Sequence, residues 1–168
     1  KTELSELKGE LRFNYNREDF KYFTDKVKIK ANFDNSKLSA KDLHKFYGEI
    51  RGNETLYFTG KINGTINNFS ANNVNLRSDS GMRIIGDMAF VNALNSQRGF
   101  IFDGDLDNVT ANYQKLKNLL PNVLGKTLPS EFEKLGTFTL SGLVRVTPDQ
   151  MDATLTVNSE IGIINSDL

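Results

Sequence analysis

Strict alternation is the feature that most constrains this chain. In Lys26-Val27-Lys28-Ile29-Lys30-Ala31-Asn32-Phe33 every second residue is apolar and three lysines fill the gaps. A period of two places Val27, Ile29, Ala31 and Phe33 on one face of an extended strand and the lysines on the other. Such a segment is satisfied by a sheet with one dry face and one wet face. The same reading applies around Leu11, Phe13 and Tyr15, and over 57–66, 72–76, 82–90, 100–106, 138–146 and 153–157, with a last strand-like run over 161–168. Turn signals separate the runs: Arg51-Gly52-Asn53, Asn67-Asn68, Asp79-Ser80-Gly81, the 95–99 segment and Pro148-Asp149-Gln150. The pattern predicts a mainly β chain folded as an antiparallel meander, with no parallel β-α-β unit.

Two segments break the alternation. Ser39 to Gly48 reads as a short helix with Ser39 as N-cap, Asp42 in the capping-box position and Gly48 as terminator. Tyr113 to Leu124 carries apolar residues at helical spacing, interrupted by Pro121. Ser130-Glu131-Phe132-Glu133 offers a second capping box before Gly136. Two or three short helices are expected in all.

Composition excludes several function classes. Lys+Arg and Asp+Glu both number 21, so there is no general attraction for a phosphate backbone and no nucleic-acid partner is expected. Cysteine is absent and His44 is the one histidine, which removes thiolate chemistry, Cys-ligated metals and paired-histidine sites. No nucleophile, base or metal cluster emerges, so the chain reads as a non-enzyme without cofactor or metal. The 38% apolar content lies below the usual ~45–50%, a range that also counts Gly. Nineteen asparagines punctuate the strands and read as turn formers, including the Asn-x-Ser/Thr triplets at Asn53, Asn63, Asn68 and Asn108. Asp103, Asp105 and Asp107 alternate along one strand. An EF-hand template fails there, since Asn108 stands at its Gly position and Gln114 at its Glu position, so they read as a solvated strand face. His44 reads as a surface or rim residue. The Lys28, Lys30, Lys37, Lys41 and Lys45 series reads as a solubilising outer face.

The chain also repeats. Asn32-Phe33-Asp34-Asn35 aligns with Asp105-Leu106-Asp107-Asn108 at an offset of 73, and Gly60-Lys61-Ile62 with Gly142-Leu143-Val144 at an offset of 82, with Phe69 matching Met151. The unit is a strand, a short helix and a run of strands, with a period near 80. The division expected is residues 1–25 as the end of a preceding repeat, 26–97 as a full repeat and 98–168 as a second, truncated one. Both ends read as cut.

The alternating faces converge on one set of residues: Val27, Ile29, Phe33, Ile62, Ile66, Val74, Leu76, Met82, Ile84, Met88, Phe90, Phe100, Phe102, Val144, Val146, Leu155, Val157, Ile161 and Ile163. From pattern alone this face is either the core of an ordinary sandwich or barrel, or an apolar strip left open.

Three stretches carry a family resemblance. They are Asn35-Ser36-Lys37-Leu38-Ser39-Ala40-Lys41-Asp42-Leu43 with Phe46, the run from Leu120-Pro121 through Leu124-Gly125-Lys126 and Leu128-Pro129 to Leu140-Ser141-Gly142, and Leu155-Thr156-Val157-Asn158-Ser159-Glu160-Ile161-Gly162. The chain resembles the AsmA/TamB superfamily, in particular TamB-like translocation and assembly proteins of the Bacteroidetes type. The resemblance implies an internal fragment of a long, inner-membrane-anchored periplasmic protein whose antiparallel strands curve into a taco-like open groove. It implies phospholipid acyl chains as cargo, carried between inner and outer membranes, support for outer-membrane assembly, and an outer-membrane barrel protein as partner to regions outside this stretch. The residues named above would then line the groove. The competing reading is a structural or adhesive β-repeat of a surface or envelope protein.

Overall fold

The computed structural model describes residues 2, 4–46, 48, 50, 52–94, 99–119 and 130–167. Nine strands form one open antiparallel sheet in which each pairs with its neighbour in sequence. They are β1 Gly9–Asn14, β2 Lys28–Ser39, β3 Thr55–Gly64, β4 Phe69–Ser78, β5 Arg83–Val91, β6 Ile101–Asn112, β7 Thr137–Val146, β8 Met151–Ser159 and β9 Gly162–Asp167. The order strand, helix, three strands occurs twice, over β2–β5 and β6–β9, with α2 Ala40–Phe46 in the first unit and α3 Tyr113–Leu119 plus a 3-10 turn Ser130–Leu135 in the second. The predicted helix residues 120–124 lie outside the described residues.

A fourth helical segment departs from expectation. Arg17–Tyr22 forms a 3-10 turn that runs into α1 Phe23–Lys26. The Asn16 amide donates to the Asp19 carboxylate at 2.6 Å, closing the turn where the alternation lapses after Tyr15. The expected capping box of α2 is also absent. The Ser39 amide donates instead to Ser5 Oγ at 2.9 Å, and the Asp42 carboxylate accepts from the Thr2 and Ser5 hydroxyls at 2.6 and 2.7 Å. The N-terminal segment has taken over the capping groups. It is pinned further by fully buried Ser36, whose hydroxyl accepts from the Lys8 amide and donates to the Lys8 carbonyl.

One line crosses the sheet at right angles to the strands. The pairing register slips by one residue at Asp34–Asn35 in β2, at Asn72–Asn73 in β4 and at Asp107–Asn108 in β6. Two of these bulges use asparagine at positive φ, 42° at Asn35 and 51° at Asn73, a conformation that Asn tolerates better than most residues. So part of the asparagine content serves strand interiors, where only turns were expected. On the strands between, Gly9, Gly60, Gly86 and Gly142 stand at the same level. At Gly86 (φ 149°) an added Cβ would run into the Asp105 carbonyl oxygen, and at Gly142 (φ 131°) into that of Thr154. Bulges bend and twist a strand locally, and the glycines let neighbouring backbone approach where they do.

The line divides the apolar face into two halves. On the side of α2 and α3, Leu56, Met82, Val109, Phe138, Leu140 and Val157 are buried, and Leu116 of α3 and Leu135 of the 3-10 turn pack onto them. Phe138 is 1% exposed and its ring meets Phe132 edge-on at 5.6 Å. The second half lies toward the β3–β4, β5–β6 and β7–β8 connections.

Candidate functional site: an apolar track across the sheet

Direct cross-strand partners share a face, so the register reads off rows that run along the sheet. In the second half, one row is Phe13, Ile29, Gly64, Phe69, Phe90, Phe102, Val146 and Met151. The next is Leu11, Ala31, Ile62, Ala71, Met88, Gly104, Val144 and Ala153. Neither contains a polar side chain. Each crosses eight strands, roughly 34 Å at the usual ~4.8 Å spacing. Phe69 and Phe90 stack at 4.7 Å and Phe102 follows at 5.1 Å from Phe90.

Burial along this track follows side-chain size. Ala31, Ala71, Gly104 and Ala153 are buried, whereas Ile29, Ile62, Phe69, Met88, Phe90, Phe102, Val144 and Met151 are only half-buried. Val146 and Phe100, at its end, form a small buried cluster with the rings of Phe90 and Phe102. Toward β1 the track is open, with Leu11, Phe13, Tyr15 and Phe20 exposed. α1 covers this end in part: the Phe23 ring lies 6.1 Å from that of Phe13, and the Thr24 carbonyl and Asp25 carboxylate accept from Asn67 in the β3–β4 turn. Ala153, Met88 and Val144 of the second row also join the core cluster to which Leu116 and Leu135 belong.

The residues expected on the apolar face divide among these places. Ile29, Phe90, Phe102, Val146, Ile62, Met88 and Val144 lie on the track. Phe33, Val74 and Leu155 stand on the bulge–glycine line. Leu76, Ile84 and Val157 belong to the helix-capped half. Val27, Met82 and Phe100 are buried just outside strands, and Ile66 is half-buried in the β3–β4 turn.

Two expectations are overturned. Ile161 is in the β8–β9 turn and Ile163 pairs with Asn158 on the polar face; they are 69% and 72% exposed. The connection is a two-residue turn, so residues of opposite parity face each other across it, and Ile164 rather than Ile163 joins Val157. Conversely, Phe69 and Met151 were missed as track residues. Their match in the repeat alignment was the available signal, since both occupy the same row.

The polar face is patterned by charge. Lys28, Lys30 and Lys61 stand on β2 and β3, while Asp87, Asp103, Asp105, Asp152 and Asp167 stand on β5–β9 with Arg145. Arg145 pairs with Asp103 at 3.2 Å. A hollow of about 690 Å³ lies here. No group of three or more potential metal ligands occurs among the described residues. His44 is exposed and its Nδ1 meets the Ile50 carbonyl at 2.8 Å, tying α2 to the segment behind it. Asp42 is held below the ordinary aspartate range, first by the Thr2 hydroxyl and then by that of Ser5.

No family model, curated protein or solved structure matches the chain.

Proposed function

We propose that the open half of the apolar face is a segment of a hydrophobic groove that carries phospholipid acyl chains. The observation that supports this reading is the pair of adjacent rows without a polar side chain, continuous over eight strands and only partly covered. An acyl chain needs a dry strip and no directional partner, and each methylene removed from water contributes about 0.8 kcal/mol. The strip runs along the sheet, the direction in which chains would slide from one repeat to the next. Bulges and glycines aligned across the strands suit a sheet folded along that axis into a taco-like section. On this reading the chain is an internal stretch of a TamB-like protein of the AsmA/TamB superfamily. It works in the periplasm between the two membranes of the envelope, with an outer-membrane barrel protein as partner to other regions.

The test is site-specific crosslinking. A photoreactive residue at position 90 should capture phospholipid on expression in a Gram-negative periplasm, and one at position 28, on the polar face, should not. Equal capture at both positions, or none at position 90, would reject the conduit.

A second reading rests on the polar hollow. A structural or adhesive repeat would bind through outward polar groups, and the acidic hollow of β5–β9 is the surface it would use. Substitution of Asp105 and Asp152 by Asn should then abolish binding while leaving position 90 irrelevant.

A further inference from the structure

On the polar face, away from the apolar track, two arginines are directly opposed. Arg77 of β4 pairs in register with Arg83 of β5. Like charges opposite one another in a sheet repel, and neither guanidinium has a carboxylate partner among the described residues. The Arg83 guanidinium makes no hydrogen bond among them either.

The surroundings form a shallow hollow on this face, with Asn35, Arg77 and Arg83 exposed at it. Asn35, Tyr57, Thr59, Asn75, Arg77 and Arg83 line a cavity of about 320 Å³ that contains no acidic side chain. Arg77 lies over the Tyr57 ring at 5.2 Å, and its Nη2 donates to Asn35 Oδ1 at 3.0 Å. Asn35 is the left-handed residue of the β2 bulge, and its amide is held by Thr59 Oγ1 at 2.9 Å. The bulge therefore aims the side chain that positions Arg77, while Arg83 is left free. Asn75, which shares β4 with Arg77, has a buried Oδ1 with no hydrogen-bond partner. A buried acceptor without a donor costs stability until something donates to it.

We infer that this cavity binds a phosphate-class anion. Its oxygens accept from the Arg77 and Arg83 guanidiniums, whose planar N–H forks suit phosphate geometry, and its charge offsets their opposition. Chloride matches the charge and not the fork geometry. Free phosphate esters and phospholipid headgroups share this chemistry. The site is on the face opposite the apolar track and stands independently of the conduit reading.

The experiment compares thermal stability and side-chain NMR shifts in two arms, one with inorganic phosphate or glycerol 3-phosphate and one with vesicles of phosphatidic acid in phosphatidylcholine. In anion-free buffer Arg83→Gln should raise the melting temperature, because it relieves the repulsion. Glycerol 3-phosphate should stabilise the parent protein, move the Asn75 amide and the Arg77 and Arg83 Nε signals saturably, and reverse that order. Arg83→Gln should weaken binding by about tenfold or more, equivalent to 1.4 kcal/mol, and Lys61→Gln, a cation on the same face outside the cavity, should not weaken it. A response to vesicles alone assigns the anion to a headgroup, and a response to the soluble ester assigns it to a free metabolite. Silence in both arms, or equal weakening by Lys61→Gln, overturns the site. So does an unchanged response in Arg83→Gln.

Discussion

The two halves of the apolar face differ in what covers them, although the same strands build both. Beyond the bulge–glycine line on the α2 and α3 side, large residues such as Phe138, Met82 and Leu56 are almost fully buried, in one cluster with Leu116 of α3, Leu135 of the 3-10 turn and Leu43 of α2. On the other side the alanines, Gly104, Val146 and Phe100 are buried, and the remaining large residues of the track are only partly covered. Hydrophobicity per residue is therefore a poor guide to which half is core. What decides it is whether a second layer exists, since a single sheet buries its dry face only against something else. The capped half has a second layer over most of its large residues, and the track has one only in part.

The largest effects should follow from a charge or a void in the capped half. Val157→Asp places an unpaired charge in a fully covered position and should prevent folding. Phe138→Ala should cost about 3–5 kcal/mol, whereas Phe90→Ala on the track should cost less, about 2 kcal/mol, because part of that ring is already in water. Chemical denaturation of both variants checks the contrast. Equal losses would mean that the track is core.

The dividing line comes next. Gly86→Val forces a side chain against the Asp105 carbonyl and should cost on the order of 3 kcal/mol from strain and overlap. Gly81→Ala, at positive φ in an open turn with nothing within 4 Å, should cost about 1 kcal/mol. If the Gly86 variant melts like the Gly81 variant, the close approach across the line is not needed for folding.

Phe90→Asp sharpens the functional side of the comparison. Its charge remains reachable by water, so the variant should fold with a modest loss of melting temperature. It should lose capture of phospholipid by a photoreactive residue at position 102. Retained capture would separate the track from lipid. Leu140, buried on the capped side of the line, is the counterpart where the same change should unfold the protein.

The smallest effect concerns the N-terminal segment. The folded-state pKa of Asp42 is depressed, so its contribution is present above the ordinary aspartate range and is lost as pH falls through the folded value. Amides near Thr2 and Ser5 should therefore exchange faster below that range in the parent protein. In Asp42→Asn they should exchange fast at every pH, with little change in global stability. An unchanged pH profile in that variant would remove Asp42 as the anchor.

Much of this architecture was legible because alternation is a local property. Any strand with lysines on every second position and Val, Ile or Phe between must present a dry face and a wet one, and the short turns between such runs require antiparallel neighbours. The strand–helix–strand order was legible for the same reason. Facing was less so. The period of two is unbroken only until a bulge inserts a residue, and Asp34–Asn35, Asn72–Asn73 and Asp107–Asn108 each invert the parity of the rest of their strand. Hence Phe33 and Leu38 share a face although their spacing is odd. The two-residue turn at Glu160 does the same to β9, which sent Ile163 to the polar face and left Ile164 on the apolar one.

The amino-acid sequence by itself determined an antiparallel β chain with one apolar face, because alternation and turn signals depend on residue type and nearest-neighbour order. Register, coverage and opposition were decided only by the tertiary structure. Arg77 and Arg83 are ordinary surface cations until pairing sets them face to face, and Phe69, Phe90 and Phe102 form a row only once three strands align. Which half of the face is closed depended on where α3 and the Ser130–Leu135 turn settle. Each of these is a relation between distant segments, whose free energy exists only when both are in place.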